Sequence, residues 1–133
     1  MTNEELIKEA ESVLKPQKIG KCLVGDVGSA LVSGRGNVYR GVCIDTGFGS
    51  GLCAEQSAIA TMVTAGEAEV KKLVAVWKDE HGITRVLPPC GRCREFIRQI
   101  HKGNLEADIM LGNEKVLKLK ELLPYHDWFN PAP

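Results

Sequence analysis

Aromatic side chains are scarce in this chain: two Trp, two Tyr and three Phe among 133 residues. Proteins that hold single-stranded nucleic acid stack successive bases on aromatic rings, and too few rings are present to build such a platform. An excess of charge is missing as well, because 17 Lys and Arg face 17 Asp and Glu. Affinity for nucleic acid rests mainly on neutralising phosphates with basic side chains, so nucleic acid is not an expected partner. No apolar run approaches the roughly 20 residues that a membrane span needs, and a membrane is not expected either. The segment Met1-Thr2-Asn3-Glu4-Glu5 is acidic rather than basic, unlike the start of an export signal. Five cysteines, an odd number, do not suit a disulfide framework. A reducing cytoplasm is the expected location, and there clustered thiols signal metal binding or catalysis. The length suits one domain, residues 1–133, with one core.

Thr2 and Glu5 form a capping box ahead of Leu6, Ala10, Val13 and Leu14 at helical spacing. Pro16 is expected to end that helix. Strands are predicted from Val27 to Leu31 and from Val38 to Ile44, joined by the turn Ser33-Gly34-Arg35-Gly36-Asn37. A loop with Gly47, Gly49 and Gly51 precedes a helix from Cys53 to about Ala65. Leu73-Val74-Ala75-Val76-Trp77 reads as a strand buried on both faces. A second helix is expected from about Cys90 to Lys102, then a strand from Ala107 to Leu111 and a short helix from Leu117 to Leu122. Helix, hairpin and then strand–helix alternation predict an α/β fold, a three-layer α/β/α sandwich on a mixed sheet.

Two short motifs carry the chemistry: Cys53-Ala54-Glu55 and Pro89-Cys90-Gly91-Arg92-Cys93. Three soft ligands and one carboxylate that need not bind describe a Zn²⁺ site with an open fourth position. A Glu placed just beyond the first ligand, followed by a Pro-Cys-x-x-Cys pair, is the pattern of zinc deaminases, where that Glu moves protons and is not a ligand. If helices begin at Cys53 and Cys90, two positive dipole ends help to hold three thiolates ionised. Zinc lowers the pKa of a coordinated water from about 15.7 towards 7. Glu55 can then carry protons from that water to a ring nitrogen and a departing amine, which is hydrolytic deamination. A closed structural zinc site needs a fourth ligand, which Cys22, Cys43, His81, His101 or His126 can supply in principle. A redox Cys-x-x-Cys would leave Cys53 unused, and a silent binder would have no need for Glu55.

Val27-Gly28-Ser29-Ala30-Leu31, Cys53-Ala54-Glu55, Pro89-Cys90-Gly91-Arg92-Cys93-Arg94 and Leu122-Leu123-Pro124 resemble the cytidine deaminase family, in order and over nearly the whole chain. The resemblance implies a five-stranded mixed sheet and a zinc ion on Cys53, Cys90 and Cys93. It also implies Glu55 as catalytic acid and base, a cytosine nucleoside as substrate, and a homotetramer whose active sites are completed by neighbouring subunits. Substrate contacts are expected from Cys43 and Asp45, at the family's Asn-x-Glu sugar clamp, and from Ala54 and Pro89. Tyr125, Trp128 and Phe129 read as a packed aromatic tail; the alternative, which the resemblance implies and which makes Trp128 a substrate contact, is a lid that places a ring over the base. The chain departs from the family at Gly25, where Phe is usual, at Cys43-Ile44-Asp45, and at Gln56, where an Arg usually offsets thiolate charge. Arg92 and the missing Arg after Cys-Ala-Glu resemble blasticidin S deaminase. A cytosine compound with a modified sugar is therefore the alternative substrate, and weak discrimination among sugars is expected.

Overall fold

The computed structural model describes residues 1–131 and 133. The capping box closes as the sequence predicts: the Glu5 N–H donates to Thr2 Oγ1 at 3.1 Å, and the Thr2 N–H to Glu5 Oε2 at 3.0 Å. It starts α1, Asn3–Glu11. The helix stops before Pro16 forces it to, because the Lys15 N–H leaves for the Gly25 carbonyl at 2.9 Å. A short strand β1, Gln17–Ile19, follows, then the long β2, Cys22–Ser33, and β3, Val38–Asp45. Next come α2, Ala54–Thr64, β4, Val70–Lys78, β5, Thr84–Val86, and α3, Gly91–Ile100. After a 3-10 turn at Lys102–Glu106 the chain finishes with β6, Asp108–Met110, β7, Val116–Lys118, and a second 3-10 turn at Leu119–Leu122.

The sheet has seven strands, two more than the resemblance implies. Five lie side by side in the order β3, β2, β4, β6, β7. The extra two are short: β1 pairs with the first residues of β2, and β5 with the last residues of β4. All pairings are antiparallel except β4 with β6, where α3 makes the crossover. The short helix expected over Leu117–Leu122 is instead β7 plus a 3-10 turn. Leu117 pairs with Ile109 and the Leu119 N–H bonds the Ala107 carbonyl at 3.0 Å, so sheet pairing overrides a weak local preference.

Alternation along the central strands separates two cores. Leu31, Leu73 and Ile109 pack with Ala58, Ile59 and Met62 of α2 and Ile97 of α3. Their neighbours Ala30, Val74 and Met110 pack on the other face with Leu6 and Ala10 of α1. These are the three layers. Gly41 of β3 lies against α2: a Cβ there would stand 2.4 Å from the Ala58 nitrogen and 2.5 Å from Ser57 Oγ. That close approach sets how near α2 lies to β3.

Candidate functional site

Cys53 and Cys90 are the N-caps of α2 and α3, both in extended backbone. The glycine loop is drawn shut just before Cys53, since Ile44 and Leu52 exchange two backbone hydrogen bonds of 2.9 and 2.8 Å. Gly47 and Gly49 take positive φ of 75° and 81°, a region that glycine enters without strain. Gln56 then accepts from the Cys53 N–H at 3.1 Å, and is buried in doing so. At α3, Arg94 donates to the Pro89 carbonyl at 2.8 Å and to the Leu122 carbonyl at 3.4 Å. Both helix starts are thus fastened to neighbouring segments.

The result is a cluster. The sulfurs of Cys53, Cys90 and Cys93 lie within 4.8 Å of one another. With zinc–sulfur bonds near 2.3 Å, two tetrahedral thiolates stand roughly 3.8 Å apart, so small adjustments bring all three onto one ion. Among the described residues no other Cys, His, Asp or Glu joins this group. Cys22, Cys43 and the three histidines do not, and a three-donor set is the open, catalytic kind. Cys93 is fully buried and Cys90 exposed.

Burial pushes the Cys93 thiol strongly up, and the charge of Glu55 adds to it. Burial also raises Cys53, against a hydrogen bond with Cys93. At Cys90 burial is outweighed by hydrogen bonds from the Cys93 backbone and from both other thiols, so its thiol ionises below the ordinary value. Cys90 is the first of the three to become a thiolate. Glu55 is only 6% exposed. Burial raises its carboxyl above the ordinary carboxylate range, partly offset by hydrogen bonds from its own backbone N–H and from the Cys93 thiol.

Beside Cys53 opens a cavity of about 400 Å³, lined among others by Asp26, Cys43, Asp45, Gly51 and Arg92. Asp45 accepts from the Gly47 N–H at 2.9 Å. Arg92 donates to the Gly51 carbonyl at 3.3 Å. Ala54 is buried in the first turn of α2, and the Pro89 carbonyl already has Arg94 as donor. Trp128 is not brought to this cavity. It is 75% exposed and stacked on Phe129 at 4.1 Å, beside a separate hollow of about 520 Å³ shared with Tyr125 and His126.

The profile of the cytidine and deoxycytidylate deaminase zinc-binding region matches residues 1–106. The chain belongs to the cytidine deaminase family. A cytidine deaminase from Halalkalibacterium halodurans is 31% identical over 106 residues, 74% of each chain. A blasticidin-S deaminase from Bacillus cereus is 32% identical over 103 residues, again 74% of each. The crystal structure of cytidine deaminase from Mycobacterium leprae matches with a TM-score of 0.72 at 28% identity, over 91% of this chain and 96% of that one. Membership makes zinc the cofactor and aminohydrolase chemistry the reaction class of this cytidine deaminase family member. No helix among the described residues is long and apolar enough to cross a membrane.

Asp26 had no place in the sequence reading, and Gln56 and Arg92 appeared there only through the motifs and the family resemblance, without their roles in this site. Gln56 signalled itself by standing three residues after the N-cap, the position of a reciprocal cap. Asp26 is the one acidic residue in the otherwise apolar or small stretch from Leu23 to Leu31. Arg92 is in the motif, but only the fold shows that it lines the cavity.

Proposed function

We propose that this protein deaminates a cytosine nucleoside, cytidine or deoxycytidine, to the uracil form with release of ammonia. The observation that carries the reading is Glu55, buried against Cys93 and two residues beyond Cys53, which itself lines a cavity of about 400 Å³. Cys53, Cys90 and Cys93 would hold the zinc, which when bound supplies an activated water. Glu55 is the catalytic acid and base. Its raised carboxyl suits a group that takes a proton from water, passes it to the ring nitrogen and delivers the next to the leaving amine. Backbone N–H groups in the first turns of α2 and α3 stabilise developing negative charge. Cys43 and Asp45, which line the cavity, face the sugar, and Ala54 and Pro89, each adjacent in the chain to a zinc-holding cysteine, offer backbone groups to the base.

A second reading, a cytosine nucleoside with a modified sugar such as blasticidin S, is supported by the blasticidin-S deaminase relative and by the sugar-side wall. At Gly25, φ is 76° and a Cβ would stand 2.3 Å from the Lys15 carbonyl oxygen, so no ring stands there. We take residues 1–133 as one deaminase domain that assembles as a homotetramer. Exposed Phe48, Trp128 and Phe129 fit burial against neighbouring subunits, with Trp128 closing a neighbour's site. Five free thiols fit a cytoplasmic location. An ultraviolet screen over cytosine, cytidine, deoxycytidine, their phosphates and blasticidin S tests the proposal. Turnover of none of them by zinc-loaded protein would refute it.

A further inference from the structure

The β2–β3 register sets Val24 opposite Ile44 and Gly28 opposite Val42. Gly25, Asp26 and Val27 therefore bulge against the single residue Cys43. Such bulges take backbone groups off the ladder and re-aim side chains. Cys43 fills this one. Its sulfur accepts from the Val27 N–H at 3.4 Å, and its thiol donates to Asp26 Oδ1 at 2.8 Å. Burial, followed by the hydrogen bond to Asp26, raises the Cys43 thiol, so at neutral pH it keeps the proton that it donates. Both capacities of Cys43 are thus used within the protein. The second oxygen of Asp26 makes no hydrogen bond among the described residues, and Asp26 lines the same cavity as Cys53 and Asp45.

We infer that Asp26, held in place by Cys43, determines specificity on the sugar side of the substrate, its free carboxylate oxygen accepting from a sugar hydroxyl or, more strongly, a protonated sugar amine. The assignment rests on the cavity being the nucleoside site. An ionised carboxylate only accepts, and Asp45 offers the same chemistry in that cavity. A substrate that lacks the sugar donor leaves the second oxygen of each carboxylate desolvated with no partner, which is the costly case. A cationic donor forms a charge-assisted bond roughly twice as strong as a neutral one. Sugar reading is then shared between Asp45 at the end of β3 and Asp26 in the bulge of β2, with Cys43 as the support of Asp26.

The test compares kcat/KM of cytidine, 2′,3′-dideoxycytidine and 3′-amino-2′,3′-dideoxycytidine for zinc-loaded wild type and Asp26→Asn. The Asn keeps a carbonyl oxygen for Cys43 but replaces the free acceptor or its charge. Wild type should favour the amino compound over the dideoxy compound, and the substitution should cut that ratio by about tenfold or more, through KM, as expected for one charge-assisted hydrogen bond. A ratio within about twofold of wild type would overturn the assignment. Should Asp26→Asn not fold, Asp45→Asn decides: with Asp26 still in the cavity the preference for the amino over the dideoxy compound should stay within about twofold of wild type, and its loss would assign the cation to Asp45 and overturn the role of Asp26. Wild type that turns over no cytosine nucleoside at all would remove the functional reading itself, whereas turnover with a ratio unmoved by Asp26→Asn removes only Asp26's role.

Discussion

Glu55, which we propose as the catalytic acid and base, takes its character from its position. Its place in the first turn of α2 buries it, and burial raises its carboxyl towards the range of a working acid and base. Glu55→Gln keeps the shape and removes the proton. Turnover is expected to fall by about 10²–10⁴, with zinc content and melting temperature nearly unchanged. Steady-state rates beside metal analysis check this, and more than about a tenth of wild-type turnover would assign the protons elsewhere. The thiols divide the work differently. Cys90 ionises most readily, whereas Cys93 is buried and held neutral by its surroundings. Cys90→Ala removes one of the three clustered sulfur donors, and zinc per chain, read by metal analysis, should fall well below one. Full occupancy in that variant would refute the three-thiol assignment.

Elements deliver these side chains, and the contact between β3 and α2 is the tightest example. Gly41→Ala places a methyl group against the Ala58 nitrogen and Ser57 Oγ. Overpacking of this kind costs about 1–3 kcal/mol. Because α2 must move away, Cys53 and Glu55 move with it, so activity should fall along with the melting temperature. A second element contact, between the β2–β3 turn and the segment after α2, rests on Glu67. Hydrogen bonds from Ser33, Tyr39 and Asn37 hold its carboxyl down at about 2. A depressed carboxyl stabilises the fold above its unfolded value, about 4.3, and that contribution is lost as pH falls from there towards 2. Thermal melts should show wild type losing more stability across this window than Glu67→Gln, and parallel curves would show that the clamp contributes nothing. Much of this architecture was legible in the sequence. The capping box, both cysteine-headed helices and the central apolar strand follow from local pattern. The rest depended on distant partners: β7 needs Ile109, β1 needs the start of β2, and the bulge at Asp26 needs Cys43. For the same reason the metal cluster was readable from its motifs, whereas Asp26, which has no motif, was not.

The molecule carries its site at the starts of α2 and α3, on one face of the sheet, and neither core includes Cys53, Glu55, Cys90 or Cys93. Leu6, Ala10, Val74 and Met110 close one face of the sheet, and Ile59, Met62, Ile97 and Leu119 close the other. Of the three clustered thiols only Cys93 is buried, and both helices are also fastened by Gln56 and Arg94. A metal that binds only the folded state adds stability by mass action, about 4 kcal/mol at a thousandfold excess over its dissociation constant. It need not supply all the stability, as it does in small structural zinc domains. Treatment with a strong chelator is therefore expected to abolish deamination while the far-ultraviolet circular dichroism persists at 25 °C. The melt should remain cooperative but shift down by several degrees. Returning one equivalent of zinc should restore both rate and melting temperature. If the chelated chain unfolds at 25 °C, the thiols are holding the fold rather than poising a water, and the two cores are weaker than their burial indicates. If it stays folded and still deaminates, the catalytic assignment of the three thiols fails, because no other described group of three metal-ligating side chains exists to replace them.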